Sequence, residues 1–138
     1  MSESSTASIA DASCVRRANT WLWVAQVLLA ITFAASGAVK VFATDWFMAM
    51  DAWPADVPRN LLIIIGIAEL AGVVGVVLPR LVGIQPRLTV FAALGLLLIM
   101  ALATGFHAVR REWEGLPFNI MLGGLAAFVA WGRWRFAP

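Results

Sequence analysis

The sequence predicts an all-α fold, a four-helix transmembrane antiparallel bundle with N- and C-termini cytoplasmic, and three observations carry that prediction. First, 62% of the 138 residues are hydrophobic and 13% charged, with a mean hydropathy of +0.86, far outside the range of soluble domains. Second, the charges cluster at the ends of four apolar runs. Third, Pro54, Pro58, Pro79, Pro86 and Pro117 fall between or at the edges of those runs, where a missing backbone donor does least harm.

Residues 1–20 are rich in Ser, Ala and Thr without apolar periodicity. Such a segment buries too little surface to offset its ordering entropy, and it reads as a disordered polar tail. Cys14, the single cysteine, lies in it, so no disulfide or cysteine-pair redox chemistry is available within one chain. The context of Cys14 does not suit a lipoprotein signal.

The membrane domain spans residues 21–135, with helices expected over 21–43, 60–78, 88–109 and 117–132. The first run has roughly 23 residues, about 34 Å of helix, enough to cross a bilayer. A cleavable signal peptide competes for this run, but its apolar stretch exceeds the usual core of roughly 7–15 residues. Arg16 and Arg17 then read as anchoring charge rather than a twin-arginine export signal. The fourth run is the shortest.

Orientation follows from the loops. Arg16, Arg17, Arg80, Arg87, Arg133 and Arg135 fall on one side; Arg59, Arg110 and Arg111 share the other with Asp45, Asp51, Asp56, Glu112 and Glu114. The positive-inside rule makes the first side cytoplasmic. Trp21, Trp23, Trp131 and Trp134 form one aromatic belt and Trp46, Trp53 and Trp113 the other. The first outer loop, "TDWFMAMDAWPADVP", places aromatics opposite carboxylates and reads as an interfacial anchor, with a lid over a binding site as its rival.

Inside the membrane the polar residues are few and carry the functional question. Lys40 lies near the outer end of the first span, with Thr32 and Ser36 on the same face and Gly37 beside them. Glu69 sits between Gly66 and Gly72 on a small-residue stripe that admits a second helix. Met100, Thr104 and His107 share a face of the third span, and Asn119 opens the fourth above Gly123, which with Gly124 is expected to serve packing. Antiparallel order brings Lys40, His107 and Asn119 to the outer third of the bundle, within partial reach of Glu69.

Lys40 is thus expected to be the counter-ion of Glu69, supported by Ser36, His107 and Asn119. Two readings stand open: an architectural ion pair, or a ligand or proton site in which His107 titrates beside Glu69. One histidine does not provide bis-histidine haem ligation within a chain, and one His, one Glu and a distant Cys form no metal set. No phosphate loop and no nucleophile–base pair is evident. Nor do the dispersed basic residues suggest nucleic-acid binding.

Taken together, the lysine in "SGAVKVF", the glutamate in "GIAELAGVVGVVLP", the histidine and basic pair in "ATGFHAVRREW" and the asparagine in "FNIMLGGLAAFVAWGR" resemble the DoxX-like family of small bacterial integral membrane proteins. The resemblance runs from about residue 21 to 135. It implies a four-helix bundle with an inward cluster of Lys40, Glu69, His107 and Asn119, in the bacterial inner (cytoplasmic) membrane. Some relatives are subunits of thiosulfate to quinone oxidoreductases and others are linked to membrane antioxidant complexes.

The expected function is therefore an accessory subunit of a quinone- or sulfur-linked redox system, with a bound quinone as the ligand, rather than an enzyme by itself. A non-catalytic scaffold or assembly factor is the alternative, and a proton-coupled small-molecule carrier the third. The partners this implies are the lipid bilayer, a membrane or cytoplasmic protein, and a second copy of the chain.

Overall fold

The structure is a computed structural model that describes residues 2–50 and 56–136, with side chains from residue 12 onward. The elements run α1 (Ser2–Phe42), α2 (Thr44–Ala49), α3 (Arg59–Leu81), α4 (Pro86–Val109), a 3₁₀ turn (Trp113–Gly115) and α5 (Leu116–Phe136). Four of these are long and apolar enough to cross a membrane. In lipid a backbone must satisfy its own polar groups, which leaves the helix as the natural form for such runs. Asp51, Trp53 and Pro54 lie outside the described residues.

Three helix ends differ from the sequence expectation, each for a physical reason. α1 continues back to Ser2 through the stretch expected as a disordered tail; no Gly or Pro interrupts residues 2–20, and Asn19 is held to the bundle by Arg133. α3 runs through Pro79 to Leu81, since a proline in the last turn forfeits one backbone bond only. α5 extends through both terminal arginines to Phe136, so the fourth span is no shorter than the second by more than a turn. Its arginines remain helical because Arg133 finds partners inside the bundle.

α1, α3, α4 and α5 form a four-sided ring in which α1 packs on α3 and α5, and α4 packs on α3 and α5. Ala25, Leu29 and Phe33 of α1 recur at helical spacing and meet Val90, Ala93, Leu96 and Met100 of α4 with Leu122, Ala126 and Val129 of α5 in one core. The outer faces are equally apolar: Ile31, Ile64, Leu98, Leu102 and Ile120 are all exposed. With lipid as apolar as the core, hydrophobic transfer does not drive these helices together, and close packing and interhelical hydrogen bonds must.

At Gly37 and Gly66 the backbones of α1 and α3 themselves come together. A Cβ built on Gly66 would lie 2.8 Å from Lys40 Cβ and 3.0 Å from the Gly37 carbonyl, and one on Gly37 would lie 2.8 Å from the Gly66 carbonyl. Gly72 and Gly75 admit Leu96 and Ala92 of α4 in the same way. Gly123 packs on Met100 and Leu97, but a Cβ on Gly124 would meet nothing within 4 Å. Gly124 therefore does not serve the packing expected of it.

α3 and α4 both end in hydrogen-bonded reversals. Ile84 N–H donates to Pro79 O past Gly83, whose φ is 69°. At the end of α4, Glu112 N–H donates to His107 O and Arg111 N–H to Ala108 O, a Schellman pattern that puts Arg111 at φ 60°. This turn fixes where Arg110 and Glu112 stand relative to His107.

Substituting Gly66 by Val should lower stability by about 1–3 kcal/mol through overpacking against Lys40 and Gly37. Gly124→Ala should be neutral or gain up to about 1 kcal/mol from helix propensity. Reversible unfolding of the purified protein in mixed micelles measures both, and equal losses at the two sites would remove the close α1–α3 approach as the explanation.

Candidate functional site

The site is built on the facing surfaces of α1 and α3. Lys40 lies one turn above Ser36 on α1, so its stem folds back along the helix and the ammonium donates to Ser36 Oγ at 2.7 Å and to Glu69 Oε1 at 2.5 Å. Glu69 is 1% exposed and Lys40 13% at the side chain. The lysine end of the pair therefore reaches the edge of the bundle and the carboxylate does not. Glu69 Oε2 is buried with no hydrogen-bond partner. The small residues Gly37 and Gly66 bring the two backbones close enough for the short contact.

The remaining predicted members stand elsewhere. His107 bonds not to Glu69 but to Glu112, Nδ1 to Oε2 at 2.7 Å. An ionised carboxylate only accepts, so Nδ1 carries the proton. Asn119 is half-buried near the start of α5 and makes no hydrogen bond to Lys40, Glu69 or His107. Thr104 donates to the Met100 carbonyl of its own helix at 2.7 Å, and Thr32 likewise to Leu28 at 2.9 Å. Thr44 closes the end of α1 by donating to the Lys40 carbonyl at 2.7 Å.

His107 instead belongs to a chain of polar contacts over the loops at the Lys40 end of the bundle. Arg110 Nε donates to Glu112 Oε1 at 2.8 Å and its Nη1 to Asp56 Oδ2 at 3.0 Å, tying the end of α4 to the segment that leads into α3. A separate bridge, Arg59 to Asp45 at 3.1 Å, joins α3 to α2. Hydrogen bonds from Arg110 and then His107 hold Glu112 below the usual carboxylate range. Bonds from Arg110 and from its own backbone amide do the same for Asp56. The same two carboxylates, Glu112 first, push Arg110 up.

Sequence reasoning missed a third polar group at the opposite end of the bundle. Arg133 is 2% exposed; its Nε donates to Gln26 Oε1 and its Nη1 to Asn19 Oδ1, both at 2.6 Å. Gln26 Nε2 in turn donates to the Val76 carbonyl of α3 at 2.6 Å. The ring of Trp23 lies 5.4 Å from the guanidinium carbon, so this tryptophan packs inward while Trp21, Trp131 and Trp134 face outward. The readable signal was Gln26, a neutral polar residue within an apolar span, seven residues after Asn19 and so on the same helix face.

Two predictions follow from the geometry. Lys40→Met and Glu69→Leu should each destabilise by about 3–5 kcal/mol, because each leaves the other charge buried alone, whereas the double variant should recover most of that loss. A thermodynamic cycle on the four proteins reads the coupling, and additive losses would show that the pair is not a clamp. The second concerns pH. Depressed carboxyl pKa values mean that the loop contacts of Asp56 and Glu112 stabilise above the ordinary carboxylate range and lose that effect as the pH falls through the lowered values. The difference in melting temperature between wild type and Asp56→Asn with Glu112→Gln should be constant near neutrality and vanish in acid; a gap that widens in acid would contradict it.

Comparison with known proteins adds a family. No curated protein and no solved structure matches the chain. The sequence profile of the DoxX-like family matches residues 24–129, which covers the second and third spans, reaches into the first and fourth, and includes Lys40, Glu69, His107 and Asn119. The chain is an integral, multi-pass membrane protein, and it belongs to the DoxX-like family.

Proposed function

We propose that this chain is an accessory membrane subunit of a quinone- or sulfur-linked redox system, and that the Lys40–Glu69 pair is where a quinone-class molecule docks. The observation that carries this reading is Glu69 Oε2, a buried acceptor without a partner next to an ammonium whose stem reaches the bundle edge. A quinone carbonyl suits the ammonium and a quinol hydroxyl suits the free carboxylate oxygen. Electron-carrying chemistry belongs to the quinone. The chain's own part is to orient it and to hold a proton at Glu69 Oε2. His107 lies in the loop contacts and has no direct part in this site.

In this reading the Arg133 end faces the cytoplasm, in keeping with the basic bias of its loops, and the membrane is the bacterial inner one. A partner protein supplies the catalytic centre.

A second reading is favoured by a specific observation. Gly37 and Gly66 pack so closely that the helices leave little space between them at the pair, which suits an architectural clamp in a scaffold or assembly factor. Native mass spectrometry of protein extracted gently from its own membranes decides between the two. Retention of a quinone-mass adduct, reduced at least about tenfold in Glu69→Gln, supports the redox reading. A ligand-free chain bound to another polypeptide, unchanged by Glu69→Gln, supports the scaffold.

A further inference from the structure

Arg133 raises a problem that its two bonds do not solve. Gln26 and Asn19 are neutral acceptors, so among the described residues the guanidinium is desolvated without a counter-charge. Its Nη2 is buried and unpartnered, and so are Arg80 Nε and Thr89 Oγ1. Arg80 lies near enough to repel Arg133. Residues 12–27, 76–90 and 129–136, which build this end, contain six arginines and no aspartate or glutamate.

The unpartnered groups come from three different helices and share one level. Gly75 of α3 lies against Ala92 of α4, so five residues further toward this end Arg80 stands level with the turn that holds Thr89. Gly123 of α5 packs on Leu97 and Met100 of α4, which ten residues later sets Arg133 level with the same turn. All three groups carry hydrogens to donate, and none supplies negative charge. The ring of Trp23 lies 5.4 Å from the Arg133 guanidinium carbon, and the buried Nη2 hydrogens have no acceptor. Beyond this level the turn over residues 81–85 is exposed, and half-buried Arg80 is the group through which the surface is reached.

We propose that this end of the bundle is a binding site for a phosphate oxyanion, held by Arg133, Arg80 and Thr89. A phosphate brings several acceptor oxygens and the missing negative charge, and the guanidinium fork matches it in a way that an ammonium does not. At this height in the membrane the group is available from two sources, the headgroup of an anionic phospholipid or free phosphate in the adjoining solution. The site is independent of the Lys40–Glu69 pair and stands or falls apart from the redox reading.

The test is native mass spectrometry of the full chain released from nanodiscs of equal phosphatidylglycerol and phosphatidylcholine, repeated with millimolar inorganic phosphate. Retention of phosphatidylglycerol over phosphatidylcholine by at least about tenfold is expected, falling in Arg80→Gln and Thr89→Val and unchanged in Arg87→Gln, an exposed arginine at the same end. Displacement of that lipid by phosphate, or a phosphate adduct in its place, identifies free anion as a competent source and also supports the site. Arg133→Gln should abolish the preference; should that variant not fold, the Arg80 and Thr89 variants decide. Equal retention of the two lipids with no phosphate adduct would overturn the proposal, as would the same loss in Arg87→Gln as in Arg80→Gln, since that marks diffuse surface charge.

Discussion

A bilayer removes the force that assembles most small helical proteins, because lipid chains are as good a solvent for leucine as the core is. The arrangement of this bundle therefore depends on contacts that lipid cannot replace. Foremost is the ion pair between Lys40 and Glu69, made short by the glycines on either side of it. Everything around the pair serves its geometry: the lysine folded back over Ser36, the hydroxyl of Thr44 on the lysine's own carbonyl, and the absent side chains at Gly37 and Gly66.

The two ends of the core are complementary in kind. At the Lys40 end, a carboxylate oxygen is left over; at the Arg133 end, donors are left over. Between them the α1, α4 and α5 interior is apolar from Leu29 and Phe33 to Leu96 and Leu122. No polar path is visible through it among the described residues.

How much of this was legible in the sequence depends on whether a signal was local. The spans were legible because hydropathy over 20 residues needs no knowledge of neighbours. Lys40 and Glu69 were legible because a charge within an apolar run stands out and antiparallel order limits its possible partners. His107 was misplaced for the opposite reason: its partner, Glu112, comes within reach only because the chain reverses through Arg111 at positive φ, and no residue preference announces a non-glycine there. Arg133 was overlooked because an arginine near a helix end ordinarily marks topology. Only the structure shows it turned inward onto Gln26.

The Arg133–Gln26 contact also bears on how the protein is made. Its two residues are 107 positions apart, in the first and fourth spans. Lys40 and Glu69, 29 positions apart, can meet as soon as the second span has entered the bilayer. The two contacts thus differ in span order as well as in chemistry. A hairpin of α1 and α3 neutralises its own charge and gives the Gln26 amide nitrogen the Val76 carbonyl, while the Gln26 oxygen gains its partner only when α5 brings Arg133.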